Sequence, residues 1–211
     1  GIRRGFCNMA GVLESGFGEA WRFNPWAVGA FACALACLLL GTHALWVHRS
    51  TQVSGLAFFP LAVVATVWNL GEGLASLLEP GGHPTMPYFI ASVLAWGAPA
   101  AFLFASACVR VPWRGLWLVL LSAMSTATTV LVWRDPDVIV GSRAGAWGGR
   151  VPLFGPHAYW VIVPGVVATL LTVLVVFLAW RNCAPSRRRR QLGYLCVALF
   201  VALLGAADMF S

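Results

Sequence analysis

The sequence predicts an all-α, polytopic integral membrane protein built as a bundle of six transmembrane helices, and three observations predict it. Hydrophobic residues make up 60% of the 211 residues and charged residues 10%, with a mean hydropathy of +0.80. Soluble domains run at about 45–50% apolar and about 25% charged. Six segments stay apolar over the roughly 20 residues that cross a hydrocarbon core of about 30 Å. All 14 basic residues are Arg, and they gather between those segments, which is the pattern of membrane topology and not of nucleic-acid binding. A soluble globular domain, a disordered chain and a disulfide-rich secreted scaffold are therefore excluded. The absence of lysine removes a retinal Schiff base, a lysine phosphate grip and pyridoxal-phosphate chemistry.

The chain divides into an N-terminal arm, residues 1–25, and a six-helix domain, residues 26–211. In the arm, Val12, Leu13, Phe17 and Trp21 interleave with Gly and Glu between Met9 and Phe23, which predicts a short interfacial helix. It is not a secretory signal, because no apolar run follows Arg3 and Arg4 before the first full span. The first residue is Gly, as in a processed chain or part of a gene product.

The spans run from about Trp26 to Val47, Gly55 to Leu78, Tyr88 to Val109, Leu116 to Trp133, Tyr159 to Trp180 and Leu192 to Phe210. Pro25, Pro80, Pro84, Pro87, Pro112, Pro136, Pro156 and Pro185 punctuate their ends. Pro60, Pro99 and Pro164 fall inside, and Pro99, near the middle of the third span, predicts a kink. Trp21, Trp26, Trp46, Trp113, Trp117, Trp133, Trp160 and Trp180 mark span ends as aromatic belts, whereas Trp68 and Trp96 are expected between helices. The connection from about Arg134 to Ala158 is long, Gly-rich and expected to be a functional or docking loop.

Orientation follows from charge. The 1–2, 3–4 and 5–6 connections hold eight arginines and no acid: Arg49, Arg110, Arg114, Arg181, Arg187, Arg188, Arg189 and Arg190. The other side holds Arg3, Arg4, Arg22, Arg134, Arg143 and Arg150 together with Glu14, Glu19, Glu79, Asp135 and Asp137. The arginine-rich side is expected in the cytoplasm, with both termini on the outer, periplasmic face of a bacterial inner membrane. Arg187, Arg188, Arg189 and Arg190 are read as an anchor on anionic lipid, worth about 1 kcal/mol per charge.

Candidate chemistry is sparse. Asn69 and Glu72 share a face near the outer end of the second span, and Asp208 lies near the outer end of the last. Such carboxyls must face the bundle interior, water or a partner, either as cavity residues or as interhelical clamps. His43 can ligate a haem or chlorin from one side, but a hydrogen-bonding role between helices is the plainer expectation. No cofactor and no metal is expected; His83 and His157 occupy two outer loops that can meet only in space. Cys33 and Cys37 share a helix face without a second ligand pair and read as buried thiols. Ser122, Ser125, Thr126, Thr128 and Thr129 predict close packing, with hydroxyls bonded to their own backbone rather than lining a water path. No G-x-S-x-G, Walker loop, H-E-x-x-H or C-x-x-C is present, and no catalysis is expected.

Trp68-Asn69-Leu70-Gly71, Gly155-Pro156-His157-Ala158-Tyr159, Arg187-Arg188-Arg189-Arg190-Gln191 and Gly205-Ala206-Ala207-Asp208 together resemble the N-terminal seven-helix membrane region of bacterial sensor histidine kinases. The resemblance is diffuse and spans about Pro25 to Phe210. It implies an outward N-terminus, a long outer 4–5 loop and a sensory input role. The family continues into a seventh span and cytoplasmic signalling domains, which in a fragment would lie beyond Ser211. Two expectations follow. One is a non-catalytic, sensor-like module with Asn69, Glu72, His157 and Asp208 lining an outer cavity for a ligand or partner. The other is an accessory structural subunit of a larger membrane complex, photosynthetic or respiratory, in contact with lipid, carotenoid or chlorin and with other membrane subunits.

Overall fold

The computed structural model describes residues 24–47, 53–77, 85–109, 111–144, 150–184 and 187–208. The interfacial helix expected within 1–25, and His83, Arg49 and Arg110, lie outside the described residues. The chain is a polytopic helical membrane protein. Five helical segments are long and apolar enough to cross a membrane, and the sixth expected span follows as a helix that opens on the four arginines.

Helix α1, Pro25–Val47, begins where Pro25 presets the first turn, and Asn24 Oδ1 accepts the Trp26 N–H at 3.0 Å. Helix α2, Val53–Leu77, returns antiparallel to it. Their interface is built from small residues: Ala27, Ala30, Ala34 and Gly41 on α1 meet Ala62, Thr66 and Gly73 on α2. A Cβ at Gly41 would stand 2.7 Å from that of Ala62, so the two backbones approach as closely as small residues permit. Thr66 Oγ1 bonds to the Ala62 carbonyl at 2.7 Å and reaches the Ala34 carbonyl at 3.4 Å; Asn24 Nδ2 donates to the Ser76 carbonyl at 3.2 Å.

The third span is two helices, α3, Met86–Ala95, and α4, Gly97–Cys108. The interruption expected from Pro99 falls at Trp96, a single residue between the two helices that keeps φ −83° and ψ −8°. Proline has no N–H for the carbonyl four residues back and its ring crowds that carbonyl, so the ladder fails at Ala95. Pro60 in α2 and Pro164 in the helix Tyr159–Asn182 leave their helices continuous. The freed Ala95 carbonyl is satisfied by Ser125 Oγ of α5, Arg114–Arg134, at 2.6 Å. Ser125 thus bonds across helices and departs from the expected self-bonding, while Thr126 and Thr129 do bond to their own backbone, at the Ser122 and Ser125 carbonyls. Trp96, expected between helices, is 40% exposed at the break.

Between α5 and α6, Tyr159–Asn182, the expected loop is instead a β-hairpin. Strand β1, Ile139–Ala144, pairs antiparallel with β2, Arg150–Phe154, with an irregularity between Ile139 and Gly141. Gly141 and Pro152 interrupt the apolar alternation that signals strands, which hides the hairpin from a reading of pattern. An isolated hairpin is marginal; this one is held by docking. Val138 and Ile139 are buried with Ala91 of α3 and Val132 of α5, and Tyr88, Phe154 and Val161 pack around them.

Helix α7, Arg187–Asp208, packs on α6 through Val176, Leu192 and Leu199. The helices form a row, α1 on α2, α2 on α3 and α4, these on α5 and α6, and α6 on α7. The third span is its centre: 56% of its apolar stretch is buried, against 17% for the first span.

Candidate functional site

The two ends of the helices differ. One carries the hairpin with the start of α3 and the end of α5; the other carries the opening of α7 with Arg189 and Arg190. At the hairpin end the feet of the two strands are Asp135-Pro136-Asp137-Val138 and Gly155-Pro156-His157-Ala158, and backbone bonds clasp them. Gly155 N–H donates to the Val138 carbonyl at 3.0 Å and His157 N–H to the Asp137 carbonyl at 3.2 Å. Residue 155 must be Gly, since a Cβ there would fall on the Asp137 carbonyl oxygen. Asp135 Oδ1 accepts the Asp137 N–H at 3.0 Å, and its Oδ2 stands 2.8 Å from His157 Nδ1. The backbone N–H of Asp137 first, and the His157 ring second, hold the Asp135 carboxyl below the usual carboxylate range. Asp135, Asp137 and His157 place one ligand atom each within 4.8 Å of one another.

From this clasp a ladder of polar contacts descends toward the middle of the third span. The Tyr88 hydroxyl donates to the Ile139 carbonyl at 3.0 Å. The Tyr88 and Trp133 rings lie 5.8 Å apart. Trp133 Nε1 donates to Ser92 Oγ at 2.9 Å, and Ser92 in turn bonds to the Tyr88 carbonyl at 2.7 Å. One turn further down, Ser125 holds Ala95 at the helix break. Tyr88 thus ties α3 to the hairpin, and Trp133 and Ser125 tie α5 to α3 at two levels, the second at the helix break.

Glu72 lies on α2 toward the hairpin end. Gly71 abuts Phe89 and Ile90 of α3 and Gly73 abuts Phe31 of α1, so the intervening residue points between those helices. One Glu72 carboxylate oxygen and the indole N–H of Trp68, one turn away, are buried; they lie close enough to interact with each other, and among the described residues neither completes a well-formed hydrogen bond. Asn69 spends its amide on its own helix, donating to the Ala65 carbonyl at 2.7 Å. Among the described residues, no hydrogen bond or ion pair joins Asn69 or Glu72 to His157. Of the four residues expected around one cavity, Asn69 and Glu72 lie on α2, His157 lies in the clasp, and the side chain of Asp208 lies outside the described residues.

The partners of His157 were not foreseen. Asp135 and Asp137 entered the sequence reading only as charges. The available signal was the repeated spacing Asp-Pro-Asp and Gly-Pro-His, two proline turns at either end of one connection. His43 and Cys33 lie on the exposed face of α1; the expectation of a buried Cys33 thiol fails because small residues, not Cys33, occupy the α2-facing stripe.

At the other end, the Arg189 guanidinium lies 5.3 Å from the Trp180 ring centroid, and Gly193 lets the indole approach α7. Arg190 is exposed, and the side chains of Arg187 and Arg188 lie outside the described ones. Trp46 and Trp113, 76% and 77% exposed, flank this end, and Trp26, Trp133 and Trp160 flank the other, as interfacial belts require.

No family model and no curated protein matches the chain.

Proposed function

We propose that the chain is a non-catalytic, sensor-like membrane module that receives a ligand or partner at its hairpin end and converts it into a change at the break in the third span. The observation that carries this is the ladder His157–Asp135, Tyr88–Ile139, Trp133–Ser92, Ser125–Ala95. A receptor module needs an exposed surface, a bistable element and a physical connection between them. The clasp is exposed, the α3–α4 break is the point where the helical ladder is already interrupted, and the contacts at Ile139, Ser92 and Ala95 are spaced between the two. The buried Glu72 carboxyl and the neighbouring Trp68 indole N–H supply a second polar locus beside α3. The hairpin end is the outer face by the arginine distribution, and a bacterial inner membrane is the setting. The basic opening of α7 anchors the opposite end on anionic lipid.

The test opens the clasp and reads the break. Asp135→Asn combined with His157→Ala should raise backbone hydrogen exchange across 95–101 in the full chain in lipid nanodiscs, with α1 unchanged as an internal reference. Unaltered exchange at the break rejects the coupling.

The row of helices favours a second reading, an accessory subunit of a larger membrane complex. α1 presents Val28, Leu35, Leu39 and Trp46 outward, and α6 presents Trp160, Val163, Leu170 and Leu174. Co-migration with a multi-subunit assembly after mild-detergent extraction supports it, and a monodisperse lone chain opposes it.

A further inference from the structure

We infer that Asp135, Asp137 and His157 form a binding site for a divalent transition-metal ion of the zinc class, which closes the two feet of the hairpin. This deepens the sensor reading by naming a ligand class for its exposed end, and it rests on that reading only for its consequence, not for the binding itself.

The donor set comes from two chain segments. Asp135 and Asp137 lie on the foot entering β1 and His157 on the foot leaving β2, with their ligand atoms within 4.8 Å of one another. One imidazole nitrogen with two carboxylate oxygens suits zinc and its neighbours better than magnesium or calcium, which take oxygen donors alone. The two carboxylates neutralise the charge of one divalent ion. The exposure of the clasp leaves the remaining coordination position to water.

The geometry needs little adjustment. Metal–ligand bonds of about 2.1 Å in a tetrahedron separate neighbouring donors by about 3.4 Å. His157 Nδ1 and Asp135 Oδ2 are 2.8 Å apart, sharing a proton. A metal ion entering there replaces that proton and spreads the pair slightly, while Asp137 swings in from the same turn. Gly155 and the backbone bonds of the clasp hold the two feet in register before any ion arrives. Asp135 directly follows the last residue of α5 and His157 stands two residues before the first of α6, so an ion there sets the spacing between those two helix ends.

The test is Zn2+ titration of the purified full chain by calorimetry, beside Asp137→Asn and His157→Gln. Among the described residues the Asp137 carboxylate makes no hydrogen bond, so Asp137→Asn should melt at the wild-type temperature without metal. The wild type should bind one Zn2+ more than either variant, or bind it at least about tenfold more tightly. Zn2+ should raise the melting temperature of the wild type and not of Asp137→Asn. Equal stoichiometry and affinity in all three chains, or binding of Mg2+ or Ca2+ in place of Zn2+, overturns the site. The clasp-opening exchange experiment contains no metal, so the sensor reading and the metal site can fail separately.

Discussion

Ser125 decides whether the interrupted third span is tolerable inside a membrane. Its hydroxyl satisfies the one carbonyl that Pro99 orphans, and in hydrocarbon nothing else on offer would do so. Ser125→Ala should cost about 1–3 kcal/mol, the range for a buried acceptor left unmade, read as a lowered melting temperature in detergent, with Ser125→Thr close to wild type. Gly155→Ala should cost a similar amount, about 1–3 kcal/mol for a forced backbone shift, and should loosen the clasp. Hydrogen exchange of the His157 amide would report that loosening, and an unchanged rate would remove Gly155 from the clasp. At this scale the sequence was only partly legible. Glu72 was visible as a carboxyl in an apolar span because burial cost attaches to a single residue type. The Ser125–Ala95 and His157–Asp135 pairs join residues 30 and 22 positions apart, and no local pattern encodes which hydroxyl or carboxylate will arrive.

Among the elements, α3 and α4 show how one proline divides a span. Pro99→Ala restores an N–H for the Ala95 carbonyl, so the two helices should fuse and residues 95–99 should gain exchange protection. In that background Ser125→Ala should cost less than in the wild type, and a double-mutant cycle measures the difference; additive costs would show that Ser125 serves some other end. The α1–α2 pair makes a second prediction. Gly41→Leu should separate the helices, because the Ala62 backbone cannot retreat, and lower stability by more than Gly73→Ala, whose added methyl meets only the Phe31 ring. Most helix bounds were legible to within about two residues, since twenty apolar residues bounded by Pro, Trp and Arg admit few other structures, whereas the last helix opens at Arg187, ahead of the expected Leu192. The hairpin was not, because its stability lies in Val138 and Ile139 docking on Ala91 and Val132 and not in its own alternation.

For the whole molecule, the row of helices keeps two chemically different ends apart. One presents the Asp135–His157 clasp and the hairpin, the other the Arg189–Trp180 stack and the opening of α7. This segregation was legible from arginine placement alone, because charge avoids the hydrocarbon whatever the packing. The packing order, with the broken third span at the centre and α1 and α7 at the margins, was not, because uniformly apolar helices carry no periodic mark of which face is inward. Glu72→Gln tests the polar locus beside α3: altered ligand response with unchanged stability places Glu72 in reception, and an unaltered response removes it. The most direct measurement is membrane-impermeant thiol labelling of intact cells, with one cysteine at a time and the others replaced by alanine. Val140→Cys, at a hairpin position 59% exposed, should label from outside. Cys183, beside the arginine end, should label only after the membrane is opened. Labelling of Cys183 from outside, or of both positions from one face, contradicts the arrangement on which the receptor reading stands.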